Sequence, residues 1–300
     1  MSDLPGHHPV IQKIRPWSGQ VSKDTQVDFL GVKTRISYFE GLKSNENSSP
    51  PPFDEEYFEW VDLLESVTAA QGDFRMMELG AGYGRWLVRA AFACRLFGNL
   101  PCKLIGVEAE PTHFEWISQH FTDNDLDPAD HVLLKGAVST KDGAAQFLVG
   151  NAERWYGQRI AHVEDLWQGV KQPLKLIMSR SRKDESAPPL RYRFERVRTF
   201  GLTTLLTSFQ RVDLVDLDVQ GSELEVLAAA AASVNTRVKR VHIGTHSRKV
   251  EVGLRTLFKG LGWLCVFDFP GQGKRETPWG RIDFQDGVQS WTNPRFQSQS

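Results

Sequence analysis

The stretch "MMELGAGYGRW", residues 76–86, constrains the fold more than any other. An apolar run ends in Glu78, and glycine then occupies three alternate positions, Gly80, Gly82 and Gly84. Each glycine costs conformational entropy, so this much side-chain-free backbone suits a strand that turns sharply under a ligand. A dinucleotide loop has the spacing G-x-G-x-x-G, whose third glycine lets helix and strand pack closely. Here the spacing is G-x-G-x-G. A phosphate loop ends in Lys followed by Ser or Thr, where this chain has Arg85 and Trp86. Both phosphate-cradling readings fit poorly.

The pattern downstream of Phe74 is that of an α/β sheet, short apolar runs alternating with helical spacing. Strands are expected near "FRMMEL", "KLIGVE", "HVLLKGAV", "VDLVDLD", "VKRVHIG", "GWLCVFDF" and "RIDFQDG", the last two as an antiparallel edge pair. Helices are expected over residues 86–96, 113–122, 223–232 and 250–260, preceded by an amphipathic helix in "FDEEYFEWVDLLESVTAA". Residues 1–52 read as an N-terminal extension that closes in the proline-rich linker "SNENSSPPP". Residues 53–294 form the domain, and residues 295–300 a tail. Residues 151–199 are too long and irregular for an ordinary αβ connection and read as an inserted β-hairpin or cap.

Charge and apolar content narrow the partners. With 36 basic residues against 37 acidic ones the net charge is −1, and the longest basic block is the short "SRSRK". That is no footprint for nucleic acid. No window approaches the roughly 18 apolar residues that cross a bilayer, and the N-terminus lacks a signal pattern. A cytoplasmic protein with neither nucleic-acid nor membrane partner is expected. Cys94, Cys102 and Cys265 show no C-x-x-C spacing, so reduced and buried cysteines are expected rather than a disulfide framework or a thiolate zinc site.

The remaining arrangement, E-x-G-x-G-x-G, resembles motif I of the S-adenosylmethionine-dependent methyltransferases. That cofactor has no pyrophosphate, and its cationic amino-acid end needs carboxylate and carbonyl neighbours. Glu78 can supply the charge, while Gly80, Ala81, Gly82 and Gly84 leave room for methionine and ribose. Glu108 closes the next strand, where a carboxylate accepts hydrogen bonds from both ribose hydroxyls. Glu110 is the alternative, but Pro111 suggests that the chain has left the sheet by then. Ala137 and Val138 have the size and polarity of residues that flank an adenine, and core packing explains them equally well.

The run "VDLVDLDVQGSELEVL" breaks the rule that a buried strand is continuously apolar. Asp216 and Asp218 stand at its C-terminal end, the edge where open α/β sheets bind ligands, and Glu223 follows in the next helix. Capping of loops and helix is the competing role for both aspartates. "VRTFGLTTLL" with "DLVDLDVQGSELEVL" resembles the signature block of the FkbM-type methyltransferases, and "ELGAGYG", "GVEAEPTHFEW" and "DGVQSWTNP" stand at fitting intervals. This chain has Asp216 where many relatives have Lys, and Gln220 where they have Glu. The resemblance implies a class I methyltransferase fold: a Rossmann-like, seven-stranded, mostly parallel sheet with an antiparallel edge. It also implies O-methylation of a hydroxyl on a sugar, glycan or natural product, hence a small-molecule or glycan acceptor.

Transfer from a sulfonium to an alcohol requires alignment of oxygen, methyl and sulfur and removal of the alcohol proton. His246, in "GTHSRK" after a strand, is the expected proton acceptor. Asp218 could orient it, act in its place, or share a divalent cation with Asp216, Glu223 or His246. His242, within the strand, reads as a hydrogen-bonded core histidine. Trp155, Tyr156, Trp279 and Trp291 are placed either to stack on sugar rings or to pack, whereas Trp60, Trp86, Trp116 and Trp263 have core spacing. The rival readings are a non-catalytic nucleoside-binding partner or sensor and an NAD-dependent oxidoreductase.

Overall fold

The computed structural model describes residues 6–45, 48–150, 152, 158–160 and 193–296. Trp155, Tyr156, the "SRSRK" block and the tail beyond residue 296 lie outside the described residues. The first half runs α1 (Pro9–Gln12), β1 (Thr25–Val27), β2 (Lys33–Arg35), α2 (Tyr57–Thr68), β3 (Phe74–Leu79), α3 (Arg85–Leu96), β4 (Cys102–Glu108), α4 (Pro111–Asp123), β5 (Val132–Lys135), β6 (Ala137–Ser139), β7 (Gly143–Val149) and β8 (Arg159–Ile160). The second half runs β9 (Arg193–Gly201), α5 (Leu202–Thr207), β10 (Val212–Leu217), α6 (Glu223–Ala229), α7 (Ala231–Arg237), β11 (Val238–Thr245), α8 (Arg248–Gly260), β12 (Leu264–Phe269), β13 (Gly273–Thr277), β14 (Gly280–Phe284) and β15 (Gly287–Thr292).

Every residue of β10 is buried, as a strand covered on both faces must be. It forms the centre of a seven-stranded sheet with the order β12-β15-β11-β10-β3-β4-β5. Only β15 runs against its neighbours, antiparallel to both β11 and β12. This is the class I methyltransferase arrangement, Rossmann-like with an antiparallel edge. The chain builds outward from β3 to β5 and then returns to β10 on the other side of β3. The switch point of the sheet therefore lies between β3 and β10, where open α/β sheets leave a crevice at the strand ends.

The crossover helices begin on local caps. Pro111 opens α4, and the Glu110 side chain accepts the His113 N–H at 2.6 Å. Ser247 caps α8 by accepting the Val250 N–H at 3.2 Å. On one face of the sheet, α2 and α3 enclose a core that includes Trp60, Leu64, Met76, Trp86 and Leu214. The other face packs Met77, Leu79, Val215 and Val241 beneath α6, α7 and α8. No helix among the described residues is long and apolar enough to cross a membrane.

Several expectations change. The last strand of the sheet is β15, not "RIDFQDG", whose residues form β14 and pair with β13 in a separate hairpin. Ile282 and Phe284 of that hairpin turn into the α2 core. "HVLLKGAV" splits at Gly136, where a side chain would lie 2.5 Å from the Arg198 carbonyl. Only β5 stays in the main sheet, while β6 joins β9, β7 and β8 in a second sheet of four strands. The long antiparallel pairing of β7 with β9, from Gly143↔Thr199 to Val149↔Arg193, forms the base of the expected insertion.

The N-terminal extension is built into the domain: Val10, Ile11, Ile14, Phe29 and Val32 are buried in the α2 core. Residue 45, expected in the linker, is tied to β1, since the Asn45 amide exchanges hydrogen bonds of 2.8 and 2.7 Å with the Val27 backbone. Trp291 is buried with its ring stacked on Phe258, which removes it from the aromatics that could face a sugar. Trp116 is half-buried on Tyr38 rather than in the core. Among the cysteines, all free, only Cys94 is fully buried and Cys265 is exposed.

Candidate active site

The loops that follow β3 and β10 meet at the switch point. Asp218 N–H donates to the Leu79 carbonyl at 3.0 Å. Gly80 comes so close that a Cβ there would lie 2.0 Å from the Asp218 carbonyl oxygen. Gly80, Gly82 and Gly84 have φ of +87°, +56° and +71°, all in the left-handed region. Behind this loop the buried Glu78 carboxylate accepts the Trp86 and Leu87 N–H groups at 3.4 and 3.1 Å, so it anchors the first turn of α3.

Glu108 holds the loop from the neighbouring strand. Its Oε2 accepts the Gly82 N–H and its Oε1 the Glu110 N–H, both at 2.7 Å. Burial outweighs those donors and pushes its carboxyl up to about 7. A cavity of about 540 Å³, a usual size for a small-molecule site, opens over both loops. Glu78, Ala81, Gly82, Glu108, Ala137 and Val138 line it, whereas Gly84 starts α3 and Glu110 is spent on capping α4. The donor set fits a cationic group joined to a nucleoside: bare backbone, two buried carboxylates and a small apolar wall.

Asp218, Glu223 and His246 form one cluster. His246 Nδ1 lies 2.8 Å from Glu223 Oε1, and its Nε2 lies 3.2 Å from Asp218 Oδ1. The Gly221 N–H also donates to Glu223 Oε1 at 2.8 Å. Burial opposes a charge on the ring, but the two carboxylates override it and push His246 up to about 11. Desolvation likewise opposes ionisation of Asp218, and His246 outweighs it, holding Asp218 below its ordinary value. Of the three only Asp218 lines the cavity. The structure thus differs from the expectation for His246: a charged ring has no lone pair to accept a proton, and Asp218 stands between it and the cavity.

Asp216 belongs elsewhere. In direct register it faces Glu78 on β3 and His242 on β11, and His242 in turn faces Ser290 on β15. The result is a polar row across the α2 face of the sheet. From α2, Glu59 hydrogen-bonds Asp216. Asp62, fully buried, accepts from His242 Nδ1 at 2.7 Å, Ser290 Oγ at 2.7 Å and Arg240 Nη1 at 2.9 Å. Burial raises Glu59 and Glu78 well above the usual range, and the charge of Asp216 adds to both.

Of the residues expected to share a cation with Asp218, the structure brings Glu223 and His246 to it but not Asp216. Asp216 lies with Glu59 and His242, while Asp218 lies with Glu223 and His246. Sequence reasoning missed Glu59 and Asp62. Their signal was present: Glu59, Asp62 and Glu65 recur every third position along α2, so neighbours in the series share a face.

No family model matches the chain. A protein of Jannaschia sp. (strain CCS1) named as a methyltransferase is 30% identical over 251 residues, which cover 81% of this chain and 83% of that protein. Among solved structures, the methyltransferase FkbM from Methylobacillus flagellatus KT is 10% identical, with TM-score 0.42 over 80% of this chain and 55% of that one. Precorrin-6y C5,15-methyltransferase from Geobacter metallireducens GS-15 is 10% identical, with TM-score 0.41 over 77% of this chain and 85% of that one. An O-methyltransferase from Bacillus cereus in complex with SAH is 11% identical, with TM-score 0.36 over 80% and 82%.

Proposed function

The chain belongs to the methyltransferases, as its Jannaschia relative indicates, and from that premise we propose an FkbM-type enzyme that methylates a hydroxyl of a sugar, glycan or small natural product from S-adenosylmethionine. When bound, that cofactor supplies an electrophilic methyl carbon on a positively charged sulfur. Gly80, Ala81 and Gly82 would pass beneath it, Glu108 would accept its ribose hydroxyls, and Ala137 with Val138 would flank its base. The Glu108 carboxylate accepts the Gly82 and Glu110 N–H groups, with Ala109 as a third backbone donor, and an ionised carboxylate has about four lone-pair sites, so acceptor capacity remains for a ligand. Glu78 would meet the cationic amino-acid end, and a cation there favours the ionised form that burial now disfavours.

Asp218 is the proton acceptor in this reading. Positive charge develops on an alcohol oxygen as it gains a methyl group, so a carboxylate need not be a strong base to take its proton. The Asp218 side chain is 55% exposed, which lets it pass the proton on to solvent. His246 and Glu223 are positioning residues. Glu223 fixes the ring through Nδ1, and Nε2 then steadies Asp218 at 3.2 Å.

The observation that supports the proposal is the contact of the two loops at the switch point, where the Asp218 carboxylate stands beside the glycine loop whose Gly82 N–H donates to Glu108. The test is transfer from S-adenosylmethionine labelled with carbon-13 in the methyl group, offered with cell extracts fractionated by size. An O-methyl resonance in a sugar-containing or hydroxylated product supports the reading. An N-methyl or C-methyl product refutes the acceptor class.

A further inference from the structure

The polar row beneath α2 has a second property. One side-chain ligand atom from each of Glu59, Asp216 and His242 lies within 4.8 Å of the other two. All three residues line the cavity. His242 is buried to 4% exposure, and its Nδ1 is committed to the Asp62 carboxylate at 2.7 Å. That hydrogen bond commits Nδ1 and leaves Nε2, which makes no hydrogen bond to a described residue, as the nitrogen that can meet a ligand once the proton favoured there by the nearby carboxylates has left. Asp62 is itself fixed by Ser290 and Arg240. A histidine oriented by a buried carboxylate on its far nitrogen is the usual outer support of a metal ligand.

We propose that Glu59, Asp216 and His242 bind one divalent metal ion of the Mn²⁺ type in the cavity wall, with Asp62 as the orienting partner of His242. Two carboxylate oxygens and one imidazole nitrogen suit a cation between the hard and the borderline ions, and the coordination positions on the cavity side stay open to water or an acceptor hydroxyl. Binding releases any proton held by the Glu59 or Asp216 carboxyl, and a proton from Nε2 wherever the imidazole is charged. The cluster of Asp218, Glu223 and His246 is a poorer host, because the Asp218 side chain is 55% exposed and Nδ1 of His246 is paired at 2.8 Å with Glu223, itself one of the three, so no further carboxylate orients the ring. Polarisation of an acceptor hydroxyl by the ion rests on the proposed function. The site itself does not, and it is measured without S-adenosylmethionine.

The test is titration of the EDTA-stripped, dialysed full chain with MnCl₂, followed by the EPR signal of free Mn²⁺ and by thermal unfolding. One Mn²⁺ per chain is expected, with a Tm that rises with Mn²⁺ concentration. Glu59→Gln is expected to weaken binding about tenfold or more, while Asp218→Asn leaves it unchanged. Electron spin-echo spectra of the Mn²⁺ complex should carry the nitrogen coupling of one imidazole, absent in His242→Gln. Since His242→Gln also disturbs the Asp62 pair, Glu59→Gln is the deciding variant, with its metal-free Tm as the folding control. Absence of stoichiometric binding, unweakened binding in Glu59→Gln, or loss of binding in Asp218→Asn would each overturn the proposal.

Discussion

Gly80 and the carbonyl oxygen of Asp218 are packed so closely that the smallest side chain on residue 80 would sit 2.0 Å from that oxygen. The contact joins the loop after the first central strand to the loop that carries Asp218. Gly80→Ala must both push these loops apart and hold alanine at φ +87°. A loss of roughly 2 kcal/mol or more in urea denaturation is expected, together with loss of cofactor binding. Gly260 ends a helix, and a methyl group added there would meet nothing within 4 Å, so Gly260→Ala should leave stability unchanged or raise it by about 0.5 kcal/mol.

With Glu108 as the proposed ribose acceptor, cofactor affinity is expected to depend on pH. Its carboxyl titrates near 7 because burial opposes its charge. Only the ionised form offers every oxygen lone pair as an acceptor. Affinity for S-adenosylhomocysteine, measured by calorimetry between pH 5.5 and 8.5, should therefore rise through about 7. Glu108→Gln should bind about tenfold or more weakly, on the roughly 1.5–3 kcal/mol scale of a charged hydrogen bond, and without that pH step.

His246 contributes to stability with the opposite slope. Its folded value, near 11, lies above the ordinary 6.5. Folding then takes up a proton between those limits, so the contribution is complete below 6.5 and is lost as pH rises towards 11. The stability gap between the wild type and His246→Asn, read from urea midpoints, should be widest in mild acid and narrow steadily above neutrality.

Asp62 and Glu65 both meet Arg240 but differ in burial. Asp62 is fully buried with three partners, and Asp62→Ala should cost about 3–5 kcal/mol by leaving the buried His242 Nδ1 and Ser290 hydroxyl without their acceptor and Arg240 with Glu65 alone. The Glu65 side chain is 33% exposed, so Glu65→Ala should cost less than about 1 kcal/mol.

These contrasts show what a sequence can disclose. The parallel strands were legible because each is a short apolar run, and the glycine bed because close backbone approach admits no other residue. β15 was not, because Gln289 and Ser290 interrupt its apolar pattern. Their partners, the Glu251 carbonyl and Asp62, come from distant helices. The place of Glu108, at a strand end beside the glycine loop, could be read from the strand pattern alone. The roles of Glu59 and Asp62 could not, since the partner of Asp62 lies 180 residues away. The order of Asp218 and His246 relative to the cavity likewise depends on how the loop after β10 folds, which no spacing reveals.

Calorimetric titration of the full chain with S-adenosylmethionine and S-adenosylhomocysteine tests the cofactor assignment most directly. Saturable heat for one site per chain with both compounds, abolished in Gly80→Ala but retained in Gly260→Ala, is expected. Absence of heat and of any thermal shift with either compound, in protein shown to be folded, would contradict it.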